Sequence, residues 1–530
     1  MSSRTADDAV STLLRRIERL NAIGVALSGE RQPTRLLELI LVGAKELTNA
    51  DAGSIYSVHA DHVRFEIVRN DSMRVAMGGT VGIPIRLPPI PLQRDGQPNL
   101  GSVVARSVIE RRTLNIADAY ASGDGFDFSG VHAFDQRTGY RSRSFLTVPM
   151  VDHEGEVSGV LQLINARDDQ GVTVPFGDAE QRLVESLASQ AAIAHTMHRL
   201  VDEQRALFEA FIKLIATAID EKSPYTGGHC KRVPELTMLL ADAAARTQDG
   251  PLAAFTMDDG DRYELTIAGW LHDCGKITTP EWVMDKATKL ERIHDRIELV
   301  AARFAAAKSQ IELRGALTGT APTDELTALV DDLEFLRRCN VGGEAMDQAD
   351  QDRVRVIAKR TWTTAEGFEL PILTDDEVRN LTIAKGTLLP EERQIINGHM
   401  TATVKMLDAL PFPRHLRRVP EFAGGHHERM DGKGYPKGLT GDQMSIPARC
   451  MAIADVFEAL TAGDRPYKRA MPLSQALKIL ASMSRSGHVD PDLFKVFIEE
   501  NVWSDYARRF LQADQIDVTT GEAARAIVFG

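Results

Sequence analysis

The sequence predicts a multidomain protein: an α+β unit first, then a long linker helix with coiled-coil spacing, then an all-α domain over the remainder. Three observations predict it. Short alternating apolar segments are confined to residues 50–165, apolar residues from Leu187 to Ala218 recur three and four apart, and helical periodicity runs from Ser223 onward. A chain of 530 residues also has the length of about three folding units at ~150 residues each.

In chain order, residues 1–26 read as an N-terminal helix, amphipathic from residue 10, and residues 27–176 as the α+β unit. Within that unit Leu36, Leu37, Ile40, Leu41 and Ala44 share one face of a helix over 34–48. Segments 53–58 and 63–69 alternate as strands, and 145–151 and 157–165 flank a DHEGE turn as a hairpin. In the linker, 177–222, the residues Leu187, Gln190, Ala194, Met197, Val201, Gln204, Phe208, Phe211, Ile215 and Ala218 form a heptad seam. That seam predicts a parallel homodimer whose glutamines fix register. The alternative is an amphipathic helix packed on its own domain. Residues 223–510 form the all-α domain, carrying a charged, Ala-rich insertion at about 290–389 that reads as helical over 293–313 and 323–338, and 511–530 read as a tail.

With 43% hydrophobic and 26% charged residues the composition is that of soluble globular protein. The 62 basic against 75 acidic residues leave a net charge of −13, which argues against a nucleic-acid polymer as partner and sends any anionic ligand to a local basic pocket. The N-terminus lacks a continuous apolar core segment and no window holds about 18 uninterrupted apolar residues, so a cytoplasmic protein without a membrane span is expected. Cys230, Cys274, Cys339 and Cys450 form no CxxC pair, which points away from a disulfide framework or a thiolate zinc site.

Chemistry concentrates in three places. Leu271-His272-Asp273-Cys274-Gly275-Lys276 follows an apolar helical run, and an adjacent His and Asp at a helix end can face one metal pair, the carboxylate bridging two cations. The dipeptide alone is weak, since His294-Asp295 repeats it. The run from Gly425 to Pro436, GHHERMDGKGYP, places two consecutive histidines before a Gly-rich loop, and two large polar rings need partners that a metal supplies. Asp455 lies on the otherwise apolar face of a helix, where a carboxylate is costly unless paired or metal-bound.

Taken together, HDCGK, HHERMDGKGYPKGL and IADVFEALTAGDRPYKRAM resemble the HD-GYP family of cyclic di-GMP phosphodiesterases, a branch of the HD superfamily, over about 223–510. SPYTGGHCKRV and PEERQIINGHMTATVKML resemble its other ligand-bearing blocks. The resemblance implies metal ligation by His229, His272, Asp273, His399, His426, His427 and Asp455, for two divalent ions, iron or manganese. A third ion stays open, with Tyr225 four residues and Glu221 eight residues ahead of His229. His399, embedded in a matching block beyond the insertion, is preferred as third histidine over His294, which is nearer in sequence. Lys276 is implied as a catalytic residue beside Asp273, stabilising developing charge or protonating the leaving oxygen, while Tyr435, Arg465 and Lys468 are implied to hold the substrate.

The activity so implied is hydrolysis of cyclic di-GMP to the linear dinucleotide, to GMP, or to both. Two alternatives are a catalytically silent cyclic di-GMP receptor that passes its signal to partner proteins, and an HD-superfamily hydrolase of another cyclic dinucleotide such as cyclic GMP-AMP. Upstream, LLELILVGAKELTNADAGSIYSV and TGYRSRSFLTVPMVDHEGEVSGVLQLINARD resemble a GAF domain, a small-ligand sensor or dimerisation module. No distinctive motif identifies its ligand.

Overall fold

The structure, a computed structural model, describes residues 18–26, 29–30, 32–121, 125–222, 228–342, 345–463 and 470–530. The chain divides into two units, Met1–Leu207 and Phe208–Gly530. Residues 1–17 of the expected first helix, together with Tyr225, Arg465 and Lys468, lie outside the described residues.

In the first unit the helix α1 (Pro33–Thr48) leads into strands β1 (Ala50–Val58), β2 (His62–Asn70) and β3 (Val75–Gly78), then helix α2 (Val103–Glu110) and strands β4 (Leu114–Ile116), β5 (Phe145–Val151) and β6 (Val157–Arg167). They form an antiparallel sheet of order β3-β2-β1-β6-β5-β4, extended by two-residue strands at Ile90–Pro91 and Thr173–Val174. Register pairs Ile55 with Leu161 and Tyr56 with Val160. Because side chains alternate across a strand, Ile55 and Leu161 pack with Leu36, Ile40 and Leu41 of α1 on one face. Tyr56 and Val160 pack with Val104 and Val108 of α2 on the other. Each such fully buried aliphatic chain contributes roughly 1.5–3 kcal/mol.

A single helix, α3 (Asp178–Lys222), follows. The heptad expectation needs dividing. Leu187 is spent on the core of the first unit together with Val184, Ala188 and Ala191. Further along, Met197, Val201, Phe211 and Ile215 are exposed, as are Ile193, Leu200, Leu207 and Leu214. Beyond residue 207 the buried face is instead Ile212, Ala216 and Ile219, which join the core of the second unit.

The second unit is built from α4 (His229–Arg246), α5 (Asp259–Leu271), the insertion, α9 (Pro390–Asp408), α10 (Val419–Gly424), α11 (Ile446–Thr461) and four further helices, α12 (Leu473–Arg485), α13 (Pro491–Glu499), α14 (Val502–Phe510) and α15 (Gly521–Phe529). The segment 511–530 is more than a tail, since Ala524 and Val528 of α15 are buried in the same core as α11 and α12. The insertion comprises α6 (Ile297–Thr318), α7 (Thr323–Asn340), α8 (Gln348–Ile357) and a hairpin of β7 (Thr361–Thr363) and β8 (Glu369–Pro371). The hairpin departs from the all-helical expectation. Phe304, Leu336, Val354 and Ile372 give the insertion a core of its own. Its two ends meet: Lys286 Nζ, fully buried, lies 2.8 and 2.9 Å from the carboxylate oxygens of Glu392 and 2.9 Å from Asn380 Oδ1.

Candidate metal centre

Six segments converge on Asp273. His272 forms the C-cap of α5, and the 3-10 turn Cys274–Thr278 follows Asp273 directly. That turn lies against the backbone of α9, with Gly275 N–H donating to Thr403 Oγ1 at 2.9 Å. A Cβ on Gly275 would sit 2.0 Å from the carbonyl oxygen of His399, so glycine there sets how closely the Asp273 turn and the His399 helix approach. His229 opens α4, His426 and His427 follow α10, and Asp455 lies within α11.

Hydrogen bonds fix the ring orientations. His272, His399 and His426 each donate Nδ1–H to the carbonyl three residues earlier, at Gly269 (2.7 Å), Ile396 (2.5 Å) and Ala423 (2.6 Å). That leaves each Nε2 with its lone pair turned inward. His229 differs, its Nδ1 lying 2.6 Å from Glu458 Oε2 and its Nε2 3.1 Å from Asp273 Oδ2. Glu458 also accepts from Arg232 at 2.7 Å.

Two ligand-like sets share one carboxylate: His229 and His272 with Asp273, and His399, His426 and His427 with Asp273. His229 Nε2 also lies 3.4 Å from Asp455 Oδ1. His399 Nε2 approaches Asp273 Oδ1 to 3.3 Å, too long for a strong charge-assisted bond, and His426 Nε2 stands at 3.9 Å. These three atoms are buried and without hydrogen-bond partners. Buried polar groups are normally satisfied, so three orphans pointing at one another are what divalent-cation coordination would satisfy. By contrast His294 is exposed on the insertion side.

Electrostatics agree with that reading. Burial opposes ionisation of Asp273, yet Lys276, His272 and His229 hold it well below the usual carboxylate range. For Asp455 burial is likewise outweighed by His427, His229 and His426, which hold it at about 2. Burial and the neighbouring imidazoles keep His426 far below its ordinary value. Burial brings His427 down to about 4 despite Asp455 and Asp273. Both rings are therefore neutral donors at pH 7. Burial also works against protonation of His229, but Glu458 and Asp273 prevail and raise it to about 10.

Around the centre, Lys276 Nζ reaches Asp273 Oδ2 at 2.5 Å while its side chain stays 23% exposed. Tyr435 stacks on His427 with centroids 4.9 Å apart. Its loop is held by the buried Glu428, which accepts from the backbone of Lys437 (2.7 Å) and Leu439 (2.9 Å). A Cβ on Gly434 would fall 2.4 Å from Glu428 Cα, which explains the glycine ahead of Tyr435. Glu458, Arg232 and Glu428 were missed from the sequence. The signal that could have found Glu458 is its place three residues after Asp455, on the same helical face.

Residues 32–195 match the GAF domain family and residues 372–493 the HD domain family. The chain thus pairs a GAF domain with an HD domain, and the HD match takes in His399, His426, His427 and Asp455. Among relatives, a 3'3'-cGAMP-specific phosphodiesterase of Vibrio cholerae is 26% identical over 293 residues, covering 54% of this chain and 39% of its own. A second 3'3'-cGAMP-specific phosphodiesterase of that organism is 45% identical over 83 residues, covering 16% and 19%. A cyclic di-GMP phosphodiesterase of Pseudomonas aeruginosa is 45% identical over 114 residues, covering 22% and 26%. The matches therefore span well under half the length of these relatives. Among the described residues no helix is long and apolar enough to cross a membrane.

Proposed function

We propose that this chain is a cytoplasmic, metal-dependent phosphodiesterase that opens the 3′–5′ phosphodiester of cyclic di-GMP, yielding the linear dinucleotide, GMP, or both. The observation that carries this reading is Asp273 standing between two histidine sets, with the inward Nε2 atoms of His399 and His426 unpartnered. His229, His272 and Asp273 would hold one ion, and Asp273, His399, His426 and His427 the other, with Asp455 beside them. The nitrogen and oxygen donor set suits iron or manganese, and a third ion would need a donor besides these seven. Bound there, such ions supply Lewis acidity and an acidified water.

The chain's own residues do the rest. Lys276, kept charged by Asp273 and Asp455 against its burial, offsets negative charge on the phosphoryl group as it develops. Tyr435 is pushed up to about 12 by burial and by Asp455 and Asp273. It stays protonated at pH 7, free to donate a hydrogen bond or present its ring to a base. Arg465 and Lys468 are assigned to the substrate phosphates on the resemblance alone. The exposed apolar residues of α3 from Ile193 to Ile215 suit a homodimer in which the GAF domain regulates the hydrolase.

A second reading, hydrolysis of cyclic GMP-AMP, is favoured by the specificity for 3'3'-cGAMP named for two of the relatives above. The test of both is to load the protein anaerobically with iron or manganese, offer each cyclic dinucleotide separately, and resolve products by chromatography. Turnover of neither, at full metal content, overturns the enzyme reading and leaves the silent receptor.

A further inference from the structure

The last turn of α3 carries two opposite charges, and each is bound to the backbone of a different segment of the metal centre. Asp220 accepts from the amide of Gly228 (3.1 Å) and of Cys230 (3.3 Å through Oδ2). Those amides belong to the first turn of α4, where N–H groups lack intrahelical partners, and His229 lies between them. Lys222 Nζ donates to three carbonyl oxygens, those of Lys276 (3.3 Å), Ile277 (2.5 Å) and Thr279 (2.7 Å). An ammonium has three N–H donors, and all three are used on one stretch of chain. That stretch is the turn that begins at Asp273 and carries Lys276.

The Asp220 contact caps α4 from outside it, and the Lys222 contact is not an ordinary helix-end device. A lysine in the last turn of a helix usually serves that helix's own carbonyls, whereas Lys222 serves another element 54 to 57 residues away. Within the turn Lys276 N–H bonds the Asp273 carbonyl, Thr279 N–H the Lys276 carbonyl and Thr278 Oγ1 the Gly275 carbonyl at 2.8 Å, while Gly275 N–H is tied to Thr403, so Lys222 is the contact that joins this turn to α3. Ile219 and Ala216, buried in the core of the second unit, fix the rotation of the helix end that presents both charges.

We infer that Asp220 and Lys222 are positioning residues for the metal centre, Asp220 setting the backbone of His229 and Lys222 setting the turn that aims Lys276. The end of α3 is then the mechanical input to the site. A small rotation or withdrawal of that helix moves a metal-binding histidine and the Lys276 ammonium together. The inference rests on the phosphodiesterase reading for its catalytic consequence, but the clamp itself does not.

The test uses the full chain loaded with manganese, comparing wild type, Lys222→Met and Lys222→Arg, with far-UV circular dichroism to verify folding. Hydrogen–deuterium exchange of a peptide covering 274–280 should be faster in Lys222→Met and restored towards wild type in Lys222→Arg, at unchanged manganese content. With cyclic di-GMP or cyclic GMP-AMP as substrate, kcat should fall about 10- to 100-fold in Lys222→Met, the scale of a misplaced catalytic group, with KM held and kcat largely recovered in Lys222→Arg. Equal exchange in all three proteins overturns the clamp. Faster exchange with unchanged kcat overturns its positioning role. A wild type that hydrolyses neither substrate sinks the phosphodiesterase reading, while the exchange comparison still decides the clamp. If Lys222→Met does not fold, the Lys222→Arg and wild-type peptides are compared with Asp220→Asn, which should leave 274–280 protected and loosen the start of α4.

Discussion

Gly275 gives its backbone N–H to the hydroxyl of Thr403, 2.9 Å away across 128 residues of chain. Through that contact the turn after Asp273 is fastened directly to the helix bearing His399. The first prediction follows from the lack of room. Gly275→Ala would drive a methyl group to 2.0 Å from the His399 carbonyl and 2.5 Å from the Thr403 amide. Backbone cannot yield as a flexible side chain does, so α9 must shift, at a cost of roughly 1–3 kcal/mol. Elemental analysis should find the ion of the His399 set lost, and a variant with full metal content would refute the arrangement.

Asp273 belongs to both candidate ligand sets. Asp273→Ala should therefore empty both, whereas His272→Ala and His426→Ala should each remove about one equivalent. His294→Ala, exposed and remote in role, should keep both equivalents and full activity.

The metal-free His229 is raised to about 10 by Glu458 and Asp273 against its burial, while His427 at about 4 is already neutral. Metal must displace the His229 proton, so apparent affinity should rise with pH from 6.5 towards 10 and flatten above it. Calorimetric titration at pH 8 in two buffers of different ionisation enthalpy should report proton release from this site. Glu458→Gln removes the strongest opposing charge and should diminish that release.

Lys276 is assigned to charge that develops during reaction, so Lys276→Ala should lower kcat about 10²-fold or more with little change in KM. Arg465→Ala should do the reverse. Loss of metal from Lys276→Ala would make the lysine a structural partner of Asp273 instead.

Lys286 and Glu392 form an ion pair with side chains 0% and 3% exposed. Removing one partner strands the other charge, which costs about 3–5 kcal/mol. Lys286→Met should lower the denaturation midpoint accordingly, and adding Glu392→Gln should recover much of the loss. If the double variant were no more stable than the single one, the cost would lie in packing.

Most of the candidate site was legible because its residues are chemically improbable where they stand. Paired histidines before a glycine loop and an aspartate on an apolar helix face are expensive without a ligand, and that expense is visible locally. The strands of the GAF domain were legible for a similar reason, since alternation such as Val63–Phe65–Ile67 is a local signal. What escaped is settled by distant partners. Glu458 reads as one polar residue in an apolar helix until Arg232 and His229, 226 and 229 residues away, are seen to claim its two oxygens. Asp220 and Lys222 look like the solvated end of a coiled coil. Leu187 fitted a heptad and a domain core equally well, and only packing against Val184 and Ala191 decides between them.

The insertion leaves and re-enters the second unit at a point closed by Lys286, whose carbonyl also accepts from Thr387 Oγ1 at 3.0 Å. With departure and return fastened side by side and a private core between them, the loop's content is decoupled from the geometry of the helices it interrupts. It is accordingly a port for grafting: a fluorescent protein or an affinity domain spliced into the exposed turn between α6 and α7, away from the stem, would ride on the molecule without tugging on Asp273 or His399.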